Sequence, residues 1–263
     1  MPDFICIGVP YFLGQHLPER TEVAAIRNSD FPRQIGAQWV DVVPAPDGAQ
    51  DPVTAVNRAL ADAITAHRDR LPIIFASDCV SAIGASKGLA TSDGLGIIWF
   101  DAHGDFNTPD TTPSGFLGGM PLAMLVGRGE QHLMDGVGLA PLDERDILLT
   151  DARDLDHGEA EALRYSHVTH LPDITTLKTV PLPDKPLYIH LDVDVVNPDD
   201  MPDMSYAAPG GPSLDEVAAA LKRVARDGQI AGLLVSLWND ALVTDRKALE
   251  GTLTLVRAFV ESV

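Results

Sequence analysis

Gly96-Ile-Ile-Trp-Phe-Asp-Ala-His-Gly-Asp-Phe-Asn-Thr108 is an apolar run that breaks abruptly into polar residues. Its apolar part, 96–100, reads as a buried strand. Asp101, His103 and Asp105 follow at alternate positions, and in extended chain residues two apart point the same way. Two carboxylates and an imidazole therefore converge at the end of a buried strand. Such a cluster is costly unless a cation compensates it, and a divalent metal is the natural candidate.

A second run of the same kind, Leu187-Tyr-Ile-His-Leu191, leads at once into Asp192-Val-Asp194-Val-Val-Asn-Pro198. Open α/β sheets bind ligands beyond the carboxyl ends of their strands, so the two clusters are expected to face each other across one crevice. Together they supply Asp101, Asp105, Asp192, Asp194 and His103. Without metal charge such a set repels itself and holds protons. The alternative is that strand-end aspartates merely cap the turns that follow; two such clusters in one chain favour the metal.

The chain has 263 residues, 45 % of them hydrophobic, with 22 glycines and 20 prolines, and is expected to form one domain over 1–263. Its net charge of −19 argues against a nucleic-acid partner, which needs clustered Lys and Arg. A membrane partner is not expected either. No apolar stretch is long enough to cross a bilayer, and Met1-Pro-Asp-Phe-Ile-Cys-Ile-Gly8 lacks the basic residues of a signal peptide. Cys6 and Cys79 make no disulfide framework and suit a reducing cytoplasm.

Apolar runs at 4–9, 38–43, 71–75, 96–100, 146–149, 187–191 and 230–237 read as strands. Helical patterns fall at 51–68, 82–90, 121–126, 158–164, 213–226 and 245–263. Asp51 caps the first of these with Pro52 in its first turn, and Ser213 with Glu216 forms a capping box. The alternation predicts an α/β fold, a mostly parallel sheet covered by helices on both faces. Long polar connections at 101–119 and 192–212 both begin with the carboxylate clusters, and connections of that length favour function.

Asp-Ala-His-Gly-Asp-Phe-Asn-Thr-Pro (101–109), Thr-Thr-Pro-Ser-Gly (111–115) and Leu-Asp-Val-Asp-Val-Val-Asn-Pro (191–198) resemble the signature segments of the ureohydrolase family. That family includes arginase, agmatinase, formimidoylglutamase and N-hydroxyarginine amidinohydrolase. The similarity runs in the same order from Ile7-Gly-Val-Pro10 to Pro209-Gly-Gly211 and the final helix. It implies a three-layer α/β/α fold and a binuclear manganese site, at which metal-activated hydroxide attacks a guanidinium or amidine carbon and releases urea or an analogue. By position, Asp101 and Asp192 would bridge the metals, His103 and Asp194 would complete one site, and Asp105 would belong to the other while orienting the hydroxide. Asn107, Thr112 and Ser114 match residues that contact a substrate α-carboxylate; Asp156 and Glu159 match those that meet its α-amino group. The plain alternative for this last group is loop and helix-cap chemistry. Family members commonly assemble as homo-oligomers, so the resemblance implies one here.

Three positions depart from the family pattern. Ala76-Ser-Asp-Cys-Val80 stands where the family has Gly-Gly-Asp-His-Ser, so Cys79 replaces a histidine ligand. Cys79 is then either a soft ligand, better suited to zinc than manganese, or a small buried hydrophobe. A loop histidine of arginases falls at Gly118, and a glutamate that grips the guanidinium falls at Leu237, with Asp240 as a stand-in. Such losses disfavour plain arginine and suit a less basic substrate of the N-hydroxyarginine type. The expected activity is metal-dependent hydrolysis of a guanidino amino acid; the alternative is a catalytically silent metal-binding relative acting as a regulatory subunit. His190, just before the second motif, reads as a core histidine with its hydrogen bonds satisfied, or as a partner to a ligand. Trp238 either walls the pocket or packs.

Overall fold

The buried runs are strands of one sheet, and their register brings the two carboxylate motifs level. The computed structural model describes residues 2–17, 21–45, 51–202, 204, 206–236 and 246–263. Its strands are β1 (Phe4–Val9), β2 (Tyr11–Phe12), β3 (Gln15–His16), β4 (Gln38–Asp41), β5 (Leu71–Ala76), β6 (Gly96–Asp101), β7 (Ile147–Asp151), β8 (Thr169–Leu171), β9 (Leu187–Asp192) and β10 (Ile230–Ser236). Eight of them form a sheet in the order β4-β1-β5-β10-β9-β6-β7-β8. All its pairings are parallel, whereas β2 and β3 make a separate antiparallel ribbon.

Strand interiors buried on both faces explain the continuous apolar runs. Alternate residues feed two cores. Ile74, Ile97, Trp99, Tyr188 and Leu234 enter one; Ile73, Phe75, Ile98, Phe100, Ile189 and Leu233 enter the other. Helices Pro52–Ala66 and Ala82–Leu89 cover the first face, and Leu214–Asp227 with Arg246–Val260 the second. The caps read from sequence are present. Asp51 accepts from Val53 and Thr54 N–H, and Ser213 pairs reciprocally with Glu216. No helix among the described residues is long and apolar enough to cross a membrane.

Some elements differ from expectation. Helices Glu22–Arg27, Phe31–Gln34 and His132–Val137, strand β8 and the β2–β3 ribbon carry too little periodicity to be read in sequence. β7 begins one residue later than expected and runs on to Asp151, while β4 stops at Asp41.

Ala76 of β5, Ser236 of β10, Asp192 of β9 and Asp101 of β6 end four adjacent strands. Ser236 pairs with both Ala76 and Asp192, and Asp101 follows directly on the Phe100–Leu191 pair. After β5 the chain turns through Cys79–Ser81 into helix Ala82–Leu89, so the seating of that helix positions Cys79. Gly84 donates its N–H to Asn57 Oδ1 at 2.6 Å. A Cβ at Gly84 would meet the Asn57 carbonyl and lie 2.9 Å from its Cα. Gly84→Ala should therefore cost about 1–3 kcal/mol through overpacking, read as a lower urea midpoint with an unchanged slope.

Candidate metal centre and active site

Three carboxylates of the two motifs, Asp101, Asp192 and Asp194, each have one oxygen held by a backbone N–H. His103 N–H donates to Asp101 Oδ1 at 2.7 Å, Asp194 N–H to Asp192 Oδ1 at 3.0 Å, and Ala102 N–H to Asp194 Oδ1 at 3.1 Å. Trp99 Nε1–H donates to Asp101 Oδ2 at 3.0 Å. His103 Nδ1 lies 3.0 Å from Asp194 Oδ2 and 3.4 Å from Asp101 Oδ1. Asp105 sits in the left-handed region at φ +49°, which aspartate tolerates better than most residues. Its carbonyl accepts from Leu122 and Ala123 N–H at the start of helix Pro121–Leu125. Its Oδ2 is buried and, among the described residues, has no partner.

The chain from β7 holds the second motif in place. Arg153 pairs with Asp151 and donates to the carbonyls of Asp194, Val195 and Ala208. One guanidinium thus satisfies three loop carbonyls and fixes the turn that carries Asp194.

Electrostatics are as strained as the composition implies. Burial, above all, pushes Asp101, Asp105, Asp192 and Asp194 upward, Asp105 far and Asp192 to about 7, and their mutual repulsion adds to it. Burial works against a charged His103, yet Asp101 and Asp194 hold it up at about 12. Cys79 is raised well above its usual range by burial and then by Asp192, Asp105 and Asp101. Its S–H donates to Asp192 Oδ2 at 2.9 Å, with Ser236 Oγ 3.1 Å away.

Two groups of donor atoms each lie within 4.8 Å of one another: Asp101, His103 and Asp194 in one, and Cys79, Asp101, Asp105 and His190 in the other. Asp192 belongs to neither, bonded as it is to Cys79 and to its own turn. In the first group oxygen donors with one imidazole suit a hard to borderline divalent cation; in the second, which adds a thiol, the orphaned Asp105 oxygen is what a cation would satisfy. The donors therefore fit the metal that the motifs imply. The satisfied core His190 is corrected by the structure: Nδ1 meets Tyr188 Oη at 2.9 Å, but Nε2 has no partner among the described residues. A buried polar atom left unpaired costs about 1–3 kcal/mol.

A cavity of about 200 Å³ opens above these residues, lined also by Asn107, Thr112, Ser114, Gly118, Asp154, Asp156, Glu159 and an aromatic edge of Phe12, Phe116 and Tyr206. No Lys or Arg is among its described lining residues. Asn107 Nδ2 donates to Asp156 Oδ2 at 2.9 Å, and its Oδ1 accepts from Thr111. Thr112 and Ser114 hydroxyls lie 3.4 Å apart at the open side. Glu159 lies deeper, accepting from Phe106 N–H and Asp156 N–H, and burial pushes it up to about 7. It therefore serves as the helix-capping residue of the plain alternative as well as lining the cavity. A side chain at Gly118 would run into the Phe116 ring, so that ring takes the space of the absent loop histidine. Leu237, Trp238 and Asp240 lie outside the described residues. The aromatic edge was not legible in sequence, because its three residues come from β2 and two distant loops.

The sign of the pH dependence follows from these shifts. Asp192 binds a proton more tightly folded than unfolded, so the stability it contributes is present below about pH 4 and is lost as pH rises toward 7. His103, raised from 6.5 to about 12, likewise contributes most at low pH and progressively less above 6.5. Metal-free protein should consequently melt at a lower temperature at pH 8 than at pH 5.5. A divalent cation should restore the loss at pH 8, with about 2.7 kcal/mol gained at a hundred times its Kd. Thermal melts at both pH values, with and without chelator, check this.

Residues 14–241 match the family described as Arginase family. The chain is 33 % identical to arginase of Bacillus subtilis (strain 168) over 185 residues, 65 % of this chain and 62 % of that enzyme, so the matched stretch spans less than two thirds of the relative's length. It is 27 % identical to arginase of Staphylococcus aureus (strain COL) over 225 residues, 80 % of this chain and 74 % of that one. A crystal structure of arginase from Bacillus subtilis superimposes with a TM-score of 0.86 at 28 % identity, covering 98 % of each chain. With the eight-stranded parallel sheet and both aspartate motifs level at its carboxyl edge, these matches lead to one conclusion: the chain belongs to the arginase family.

Proposed function

We propose that the protein is a manganese-dependent ureohydrolase acting on a guanidino or substituted-guanidino amino acid, with residues 1–263 working as one catalytic domain. The observation that carries this is the convergence of four buried aspartates and His103 beneath an acidic cavity without Lys or Arg among its described lining. Asp101, His103 and Asp194 would hold one ion, with Asp192 and Asp105 adjoining it. A divalent cation supplies Lewis acidity here and brings the pKa of a coordinated water toward neutrality.

The chain's own groups then divide the work. The acidic walls draw in a cationic guanidinium and exclude anions. Asp105, with one oxygen unpaired, orients the attacking water and accepts its proton. Water oxygen bonds to the guanidinium carbon, the C–N bond to the side chain breaks, and the proton leaves on the departing amine. Urea or its analogue and an amine result. At the outer end Asn107, Thr112 and Ser114 supply hydrogen-bond donors for a carboxylate, and Asp156 with Glu159 faces an amino group. With no Lys or Arg among the described lining, the carboxylate is held there by neutral donors, each worth about 0.5–1.5 kcal/mol, so affinity for the amino-acid end is modest. Cytoplasmic residence and a homo-oligomeric assembly belong to the same reading, supported by two free cysteines and by family habit.

Urea or amide release should be measured with manganese across arginine, N-hydroxyarginine, agmatine, guanidinobutyrate and formiminoglutamate. Turnover of an amino-acid substrate in preference to agmatine is expected. Asp105→Asn should lower kcat by about 10²–10⁴-fold while the protein stays folded. Metal-loaded protein that turns over none of the five would replace this reading with that of a silent metal-binding subunit.

A further inference from the structure

His190 belongs to neither aspartate motif. It lies inside β9, two residues before Asp192 and on the same face of the strand, and is fully buried. Its ring is clamped. The Trp99 indole stacks on it with centroids 3.6 Å apart and planes 10° from parallel, and Tyr188 Oη holds Nδ1 at 2.9 Å. With plane and Nδ1 both fixed, Nε2 has a single direction, and no described residue there accepts from it or donates to it. One His190 ring nitrogen, the Cys79 sulfur, an Asp101 oxygen and an Asp105 oxygen lie within 4.8 Å of one another, and of the two ring nitrogens Nε2 is the one left without a partner. Asp105 Oδ2 is a second deeply buried atom without a partner. Two buried orphans in one four-donor group point to an occupant that takes lone pairs.

We propose that His190 ligates a second divalent cation through Nε2, together with Asp101, Asp105 and the sulfur of Cys79. The inference rests on the metal-centre reading above and extends it: the imidazole absent at position 79 is supplied from β9, two strands away from β5. Tyr188 is the positioning residue. Accepting Nδ1–H, its hydroxyl leaves the lone pair on Nε2, the pattern by which an outer partner fixes the tautomer and plane of a ligating histidine. Binding displaces the Cys79 proton, since the thiolate is the ligand. Imidazole and thiolate make this set softer than Asp101, His103 and Asp194, so zinc and cadmium compete better here than manganese does.

The two histidines differ in the nitrogen they offer, Nδ1 for His103 and Nε2 for His190, and that difference gives a direct readout. Unmutated protein carrying ¹⁵N-histidine is loaded with ¹¹³Cd²⁺, and ¹⁵N–¹¹³Cd one-bond couplings are recorded alongside the cadmium stoichiometry. Expected are two cadmium ions per chain, one coupled to an Nδ1 and one to an Nε2, the latter in the downfield range of thiolate-bound cadmium. His190→Gln should reduce binding to one ion, abolish the Nε2 coupling and keep the Nδ1 coupling; that coupling also reports that the variant is folded. Cadmium coupled to Nδ1 alone in the unmutated protein overturns the proposal and leaves the metal centre standing. Protein that binds no cadmium, zinc or manganese overturns both. If the variant fails to fold, the couplings of the unmutated protein decide.

Discussion

Everything near the carboxyl edge of the sheet answers to one constraint, the placement of like-charged carboxylates where water cannot screen them. Asp101 and Asp192 end neighbouring strands, Asp105 and Asp194 follow within a turn, and all four are buried. In such surroundings charge repulsion is far stronger than at the surface. The chain meets it by giving Asp101 and Asp192 a backbone N–H from their own turns and Asp194 one from Ala102 of the facing motif. A left-handed Asp105 and the Arg153 clamp on the second loop are further consequences, since both turns must be held against that repulsion. Only one cationic side chain, His103, pairs with the carboxylates among the described residues. The arrangement is therefore one that a multivalent cation completes.

The same charges shape the cavity above. Acidic groups line it to its rim, where Phe12, Phe116 and Tyr206 add an apolar edge. A cavity of this kind selects for a cationic head and disfavours anions. The overall charge of −19 contributes little to that selection, because distant surface charges are screened within about 8–10 Å in salt. What matters is the local concentration of carboxylates behind low-dielectric walls.

His190 illustrates how a buried residue acquires meaning from its neighbours. In sequence it is one polar residue in an apolar strand, and the commonest fate of such a residue is a satisfied hydrogen-bond pair. One of its nitrogens is indeed satisfied by Tyr188. Only the fold shows that the other nitrogen has no partner among the described residues and that the ring, stacked on Trp99, stands among Cys79, Asp101 and Asp105. Glu159 shows the opposite case. The family resemblance implies a substrate contact for it and its spacing from Asp156 a capping role, and the fold has it capping while it lines the cavity.

By itself the sequence determined the class of the fold and the heart of the site. Continuous apolar runs alternating with amphipathic helices demand a parallel sheet covered on both sides, which puts Asp101 and Asp192 at its carboxyl edge. Asp105 and Asp194 lie past the strand ends, in a left-handed turn and a 3-10 turn, and join them through those turns and not through strand alternation. The caps at Asp51 and Ser213 were legible because capping is a local property of the chain. The short elements were not, since Glu22–Arg27, Phe31–Gln34 and Thr169–Leu171 are held in shape by packing and not by their own periodicity. Nor was the addition of His190 to Cys79 and Asp105, which depends on the order β5-β10-β9-β6. Which strands become neighbours is settled by long-range burial, and residues more than a hundred positions apart meet only when that order is in place.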